Sequence, residues 1–221
     1  YGEYGYGVCK NVITSLDFER ILSASGPYQG HVRRPSDGTE PKRIAWIQCV
    51  GSRDVRQGND YCSGVCCMYA IKEAVMAVDH VPGLEATIFY NDIRAYGKGF
   101  ETYYEGAKEK YGVQFKRGII SSVKERQQTN NLVLTYVTED GETTQEEFDL
   151  VVLATGIVPN GGVPLPLNLD DYGFVTGETG VEGVFAVGCA RRPSDVARST
   201  KEATAAALKA IQTLHAHEGE A

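Results

Sequence analysis

Four of the six cysteines lie in one short segment, WIQCVGSRDVRQGNDYCSGVCCMYAIKEAV, residues 46–75. They are Cys49, Cys62, Cys66 and Cys67, and no histidine lies among them. Convergent thiolates without imidazole suit an iron–sulfur cluster or a structural zinc site. A redox-active vicinal dithiol and inert buried thiols are the other interpretations. The segment therefore indicates thiolate chemistry, with its ligand still open.

The spacing of these cysteines favours a cluster over zinc. Cys62 and Cys66 are four residues apart, so a helical turn would stack them, whereas Cys67 projects about 100° further round. The pattern C-x12-C-x3-C-C lacks the paired C-x2-C spacing of zinc ribbons. A cubane spreads its ligand positions over several ångströms, which suits an adjacent cysteine pair better than one tetrahedral ion does.

The cysteine segment lies between a predicted strand and a predicted helix. Apolar, β-branched runs and amphipathic runs alternate in this order: strand 43–49, helix 64–79, strand 85–91, helix 100–110 and a strand from 113. This alternation predicts a βαβαβ unit with a parallel sheet. Ligands bind beyond the carboxyl ends of such strands, so Cys49 and the start of the next helix can meet there.

The flanking segments complete an α/β fold class: a doubly wound parallel sheet with an antiparallel β-flap and part of a second dinucleotide-domain-like unit. Thr14 and Asp17 predict a capped helix at 15–24. IISSVKER, NLVLTYVTED and EEFDLVVLATG predict the flap and a returning buried strand. VFAVG, at 184–188, predicts a short strand, and 195–214 predicts an Ala-rich helix.

Two later segments have the character of flavin contacts. FDLVVLATGIVPN predicts a buried strand that ends in a small-residue turn, where backbone can approach a ligand. TGVEGVFAVGCARRPSDVARST predicts a loop and then a helix capped by Ser194 or Asp195, whose N-terminus could face an electron-rich ring. The candidate cofactor contacts are Thr155, Gly156, Gly188, Cys189, Ser194 and Asp195. The alternative is a strand–loop–helix unit that only closes the core.

Together these segments resemble the second half of the two-dinucleotide-binding flavoprotein disulfide reductases, of the thioredoxin reductase type. In that family a T-x5-F-A-x-G-D segment contacts the flavin, and Thr179 to Gly188 matches it here with Cys189 in the Asp position. The family's G-x-G-x-x-G/A of the NAD(P) domain is replaced by the cysteine segment. The resemblance therefore implies a flavin, without a nicotinamide site.

The same resemblance implies the domain boundaries. Residues 1–41 are expected to be a linker and short helix from an FAD-type domain, 42–153 an NAD(P)-domain-like unit carrying the cysteines, and 154–221 the C-terminal part of the FAD-type domain.

A closer resemblance covers nearly the whole chain. The segments KNVITSLDFERILSASGP, RPSDGTEPKRIAWIQCVGSRD, YCSGVCCMYAIKEA and TIFYNDIRAYGKGFE are similar to the A-type subunits of heterodisulfide reductase and their relatives in methanogens and sulfate reducers. Members carry FAD and several [4Fe-4S] clusters and pass electrons between subunits, in some complexes by flavin-based bifurcation. The resemblance implies a [4Fe-4S] cluster on Cys49, Cys62, Cys66 and Cys67, near the flavin.

The function that this resemblance implies is electron transfer within an oxidoreductase complex. Expected partners are subunits like the B-type and C-type subunits of heterodisulfide reductase, hydrogenase or ferredoxin-type donors, and a second copy of the chain in a homodimer. No catalytic residue is identified. The upstream FAD fingerprint is not in this sequence, so we expect a middle-to-C-terminal piece that holds FAD weakly or not at all. A zinc-stabilised docking module and a vicinal-dithiol reductase are the alternatives.

Composition limits the remaining classes. The net charge of -7 argues against a nucleic-acid surface, because phosphate binding needs clustered Lys and Arg. No apolar run has the length of a membrane span, and no signal peptide is visible. Clustered cysteines without a secretory signal are typical of a reducing compartment, so a cytoplasmic location is expected.

Overall fold

The structure is a computed structural model that describes residues 2–162 and 164–218. The strands are β1 Val12–Thr14, β2 Arg43–Val50, β3 Glu85–Tyr90, β4 Gln114–Arg117, β5 Ile119–Glu125, β6 Leu132–Val137, β7 Thr143–Phe148 and β8 Leu150–Thr155. The helices are α1 Ser15–Leu22, α2 Cys66–His80, α3 Phe100–Glu109 and α4 Val196–Glu218. Short 3-10 turns occupy Gly2–Tyr4, Val55–Gln57 and Gly188–Ala190.

The strands form two sheets. A five-stranded parallel sheet has the order β1-β8-β2-β3-β4, and a three-stranded antiparallel sheet has the order β5-β6-β7. The succession β2-α2-β3-α3-β4 is the predicted βαβαβ unit, and β5 to β7 are the predicted flap, after which β8 returns to the parallel sheet. The α/β fold class is therefore confirmed.

Several predicted elements agree with the structure to within two residues. Helix α1 begins with the expected capping box, in which the Thr14 side chain accepts from the Asp17 amide and Asp17 accepts from Thr14. Helix α2 begins at Cys66, two residues later than predicted. Strand β1 was missed, because three residues carry too little pattern; its pairing with the buried β8 defines it.

The two faces of the parallel sheet bury different partners. Trp46 of β2 packs edge-on against Phe18 of α1 with 5.5 Å between ring centroids, and both are fully buried. Ala45 and Ile47 belong instead to a core cluster with flap residues such as Leu132 and Phe148. The alternation of side chains along a strand explains this division, since successive residues point to opposite faces.

The chain divides into two compact units. The first comprises Tyr1–Gly51 and Cys66–Thr155, and the second comprises Ser52–Val65 and Gly156–Ala221. The first contains both sheets and helices α1 to α3. The domain boundaries predicted at residues 41 and 153 separate cofactor-binding domains. Compact units are not cofactor-binding domains, so these boundaries stay a prediction.

The second unit contains mostly turns, two isolated β-bridges and α4. The predicted strand at 184–188 is wrong: residues 184–187 are irregular and Gly188 opens a 3-10 turn. A strand needs a neighbouring strand for its backbone hydrogen bonds, and the described part of this unit supplies none to that segment. Across the described residues, no helix is both long and apolar enough to span a membrane.

Candidate functional site

Cys49 lies at an irregularity near the end of β2. Pairing with β8 passes from Ile47–Leu153 to Val50–Thr155, so β2 contains one extra residue there. Cys49 has a φ of 60°, a left-handed conformation that non-glycine residues seldom adopt. Bulges of this kind redirect side chains and are frequent beside functional sites. The sequence predicted the position of Cys49 at a strand end but not this backbone conformation.

Cys66 and Cys67 are the first two residues of α2, and both are buried. The Cys66 thiol donates to the carbonyl of Thr155, at the end of β8, with a distance of 3.6 Å. The Cys67 thiol donates to the carbonyl of Asp92, just beyond β3, at 3.9 Å. Both thiols therefore lie at the carboxyl edge of the parallel sheet, where the βαβ rule locates ligands.

Cys62 belongs to the second unit and is half-buried. Its sulfur accepts a hydrogen bond from the backbone N–H of Gly64 at 3.3 Å. Cys62 lies outside the helices and strands: the residues between the 3-10 turn at Val55–Gln57 and α2 form turns and part of an isolated bridge. Other contacts must therefore fix this segment.

Two buried serines provide such contacts inside the second unit. Ser52 and Ser63 hydrogen-bond to each other at 3.1 Å through their hydroxyls, and the Ser52 hydroxyl also accepts the Ser63 amide at 3.1 Å. The Ser63 hydroxyl accepts the Ile157 amide at 2.8 Å. A Cβ added to Gly156 would lie 2.6 Å from the Ser52 Cβ, so only glycine fits beside this pair.

Aromatic side chains make further contacts in this part of the second unit. The Tyr61 hydroxyl donates to the Ile157 carbonyl at 2.9 Å, and its ring packs edge-on against Tyr172 at 4.8 Å and Phe174 at 5.7 Å. The Tyr172 hydroxyl donates to Asp60 at 2.6 Å. Tyr61 and Asp60 immediately precede Cys62, so these contacts restrain the segment that carries it.

The predicted flavin-contact residues lie in both units. Thr155 ends β8 in the first unit, whereas Gly156 and the residues from 188 to 195 belong to the second. Asp195 is the cap of α4, because its carboxylate accepts the Arg198 amide at 2.7 Å. Ser194 is buried with its hydroxyl unpartnered within the described structure. Asp195, not Ser194, therefore supplies the predicted cap.

Gly188 and Cys189 lie together before that helix. Gly188 has a φ of 57°, and a Cβ there would lie 2.9 Å from the Ser199 hydroxyl, so a side chain would be strained. Its amide donates to Glu202 at 2.9 Å. The exposed Cys189 thiol donates to the Ser194 carbonyl at 3.4 Å. Cys189 also lines a cavity of about 510 Å³ in the second unit, with Ile157, Pro159, Leu165 and Ala190 among its other walls.

All six cysteines, each among the described residues, are thiols without a disulfide. Within residues 2–162 and 164–218, no group of three or more His, Cys, Asp and Glu side chains is arranged to hold a single metal ion.

A buried polar group lies behind the cysteine edge, and the sequence pattern did not identify it. Glu73 of α2 is fully buried, and its Oε2 accepts a hydrogen bond from Trp46 Nε1 at 2.9 Å. Burial raises the pKa of Glu73 to about 8. Tyr69, one turn closer to Cys66, donates its hydroxyl to the Thr155 carbonyl at 2.5 Å. The available signal was Trp46 in a buried strand, since an indole N–H there needs an acceptor.

Comparison with known proteins identifies the class of protein to which this fold and the glycine turn after β8 belong. The sequence profile of the pyridine nucleotide-disulphide oxidoreductase family matches residues 61–210. The chain belongs to this family. Among solved structures, thioredoxin reductase from Lactococcus lactis has a similar fold, with a TM-score of 0.54 and 18% identity over 78% of this chain and 52% of that one.

Particular relatives are much more similar in sequence. An A-type iron-sulfur subunit of CoB--CoM heterodisulfide reductase from Methanopyrus kandleri is 43% identical over 98% of this chain and 35% of its own length. The A-type subunit of H(2):CoB-CoM heterodisulfide,ferredoxin reductase from Methanothermobacter marburgensis is 43% identical over 94% of this chain and 34% of its own. The predicted resemblance to the A-type subunits of heterodisulfide reductase is confirmed, and the chain spans about a third of these relatives' length.

Proposed function

We propose that the chain is an electron-transfer module of a heterodisulfide reductase-type complex and binds a [4Fe-4S] cluster through Cys49, Cys62, Cys66 and Cys67. The observation that carries the proposal is the position of three of these thiols in the first unit. Cys49 lies on the bulge at the end of β2, and the Cys66–Cys67 pair opens α2 at the carboxyl edge of the same sheet. The description of a 43% identical relative as an iron-sulfur subunit supports the same assignment.

The donor set fits such a cluster. Thiolates are the ligands that iron–sulfur clusters take, and all four side chains are thiols here. A cluster held by four thiolates carries net negative charge, which the N-terminus of α2 would stabilise through its unpaired amides and dipole. When bound, the cluster supplies one-electron transfer. The chain's own residues bind it, orient it and limit its contact with water.

A flavin is the second cofactor of the proposal. In the longer protein, Thr155, Gly156, Gly188, Cys189, Ser194 and Asp195 would contact FAD, while the pyrophosphate would be held elsewhere. The left-handed turn at Gly188 and the Asp195-capped α4 suit this role, since such a turn exposes backbone and a helix N-terminus favours electron-rich groups. A dinucleotide is held largely through its pyrophosphate on a glycine turn, so the 221-residue chain should hold FAD weakly.

The proposed partners follow from the relatives' descriptions. Their names describe subunits of complexes that involve H(2), ferredoxin and the CoB-CoM heterodisulfide. We infer that this chain relays electrons between FAD, iron–sulfur clusters and partner subunits of that kind, in the cytoplasm.

Anaerobic reconstitution with ferrous iron and sulfide tests this function. We expect broad visible absorption that bleaches with dithionite and an electron paramagnetic resonance signal of a reduced cluster. Binding of zinc in stoichiometric amount, without this absorption, would favour the zinc-stabilised docking module instead. Reversible oxidation of Cys66 and Cys67 in a sample without iron would favour the dithiol reductase.

A separate measurement tests the flavin part. Titrating FAD into the chain while following flavin fluorescence should show weak binding or none at low micromolar protein. Tight stoichiometric binding would contradict the proposal that the pyrophosphate of FAD is held elsewhere.

A further inference from the structure

Glu73 is a buried carboxyl group that the proposed function does not yet use. Its side chain lies inside the first unit, with no exposed surface, between α2 and β2. Oε2 accepts the Trp46 indole N–H, whereas Oε1 has no hydrogen-bond partner within the described structure. A buried carboxylate without a cationic partner is costly, so such a group stays protonated unless something stabilises its charge.

Few groups act on this carboxyl. Burial is the largest influence and raises the pKa of Glu73; the Trp46 hydrogen bond lowers it, Glu19 of α1 raises it, and Lys72 and Ser15 lower it. Glu19 and Lys72 form an ion pair with each other, which limits the help that Lys72 gives.

The other elements packed on α2 add little charge near Glu73. Strand β8 has no titratable residue, and those of β3, Glu85 and Tyr90, lie at its two ends. In β2, Arg43 is the first residue and Cys49 the last but one. Helix α3 buries only Ala107 among its described residues and keeps its charged side chains partly or fully exposed. Glu73 therefore titrates in a largely apolar surrounding.

A chain of polar groups connects this carboxyl to the cysteine edge. The Ser15 hydroxyl lies beside both Glu73 and Tyr69; burial raises the pKa of both groups, and Ser15 opposes that rise in each. The same hydroxyl donates to the Leu153 carbonyl at 3.3 Å. The Tyr69 hydroxyl and the Cys66 thiol both donate to the Thr155 carbonyl, at 2.5 Å and 3.6 Å. Cys66, Tyr69 and Glu73 follow each other at helical spacing on one face of α2.

We propose that Glu73 is a redox-linked proton site, which takes up one proton from solvent when the cluster held by Cys66 gains one electron. This inference rests on the proposed function. The electron comes from the donor subunit, the proton forms an O–H bond at Glu73, and oxidation of the cluster reverses both changes. Glu73 is seven positions after Cys66 on α2, about 10 Å along the axis, so the added negative charge favours protonation of the carboxyl.

The coupling has a defined pH range. Below about pH 8, Glu73 is already protonated and reduction takes up no proton. Above it, the carboxyl is ionised in the oxidised protein, and reduction draws a proton onto it. The reduction midpoint should therefore be constant at lower pH and fall as pH rises beyond 8.

The first test needs no iron, because Trp46 is the chain's only tryptophan and touches Glu73 directly. We expect Trp46 fluorescence to change with a midpoint near pH 8 in the wild type and in Asp79→Asn, which removes an exposed carboxyl from the same helix. Glu73→Gln should abolish the change. A constant emission between pH 6 and 10 in the wild type, or an unchanged transition in Glu73→Gln, would overturn the proton site.

A second variant keeps this test decisive if Glu73→Gln folds poorly by circular dichroism. Glu19→Gln removes the carboxylate that raises the pKa of Glu73, so the Trp46 transition should move to lower pH. An unmoved transition would count against Glu73 as its source.

The second test measures the coupling in the reconstituted chain. The reduction midpoint, followed by electron paramagnetic resonance, should fall with rising pH above 8 in the wild type and Asp79→Asn but stay constant in Glu73→Gln. A bound cluster with the same pH dependence in all three proteins would overturn the coupling alone. Failure to bind iron would overturn the proposed function and the coupling together, while the Trp46 result would still decide whether Glu73 titrates.

Discussion

The two units hold their cysteines by different means. In the first, Cys49 and the Cys66–Cys67 pair are attached to β2 and α2, whose core residues are almost entirely buried. In the second, Cys62 lies in a turn segment restrained by serine hydroxyls and the Tyr61 hydroxyl. Helix α4 of that unit has no buried residue among those described. Apolar packing fixes one set of thiols, and specific hydrogen bonds fix the other.

This difference predicts where a substitution costs most stability. Phe18 is fully buried against Trp46, so Phe18→Ala should lower the free energy of unfolding of the first unit by about 3–5 kcal/mol. Leu208→Ala on the exposed face of α4 is the matched control and should change stability by less than about 0.5 kcal/mol. Urea denaturation followed by Trp46 fluorescence for Phe18→Ala, and by circular dichroism for Leu208→Ala, measures these effects. Similar losses for both variants would contradict the comparison.

Glu73 is the polar exception in the apolar unit, and its effect depends on pH. The folded-state pKa, about 8, lies above the ordinary value of 4.5, so the folded state binds more protons between them. The contribution of this group to stability should be greatest below about pH 4.5 and fall by roughly 1 kcal/mol per pH unit as pH rises towards 8.

Glu73→Gln should remove this slope, and urea denaturation at several pH values between 5 and 8 measures it. Asp79→Asn serves as control and should keep the wild-type slope. Equal slopes in wild type and Glu73→Gln would show that Glu73 ionises normally in the folded chain.

A smaller effect is expected from the hydrogen bonds of the serine pair in the second unit. Ser63→Ala leaves the Ile157 amide without its 2.8 Å acceptor, which should cost about 1–3 kcal/mol locally. Hydrogen exchange at the Ile157 amide should accelerate accordingly. Ser121→Ala removes an exposed hydroxyl from β5 and should leave that exchange unchanged. Equal exchange in wild type and Ser63→Ala would mean that the serine pair does not hold this turn.

The same contrast explains what the sequence could predict. The sequence predicted the alternation of strands and helices from Arg43 to Arg117, because the buried residues of each element recur with the period of a strand or of a helix. The Thr14–Asp17 capping box could be predicted from the sequence because its hydrogen bonds join residues only three positions apart. The failed strand at 184–188 has a suitable apolar pattern, but a strand also depends on a distant partner that local sequence does not specify.

The candidate site was predictable in its residue types and not in its detail. The cysteine positions at a strand end and a helix start followed from the element pattern. The left-handed Cys49 did not, because a bulge depends on register against β8. Glu73 was missed because its sequence neighbours, Lys72 and Ala74, fit an ordinary amphipathic helix as well. Only the distant Trp46 distinguishes the buried carboxyl from an exposed one.

The most direct test of the central proposal is iron and acid-labile sulfide analysis of the anaerobically reconstituted chain beside its single-cysteine variants. The wild type should bind about four iron and four sulfide per chain, as a cubane does. Cys49→Ser, Cys62→Ser, Cys66→Ser and Cys67→Ser should each lose most of both, whereas Cys9→Ala, which alters a buried thiol of the core cluster, should keep them. Wild-type iron content in the four serine variants, or no iron in the wild type, would contradict the cluster assignment.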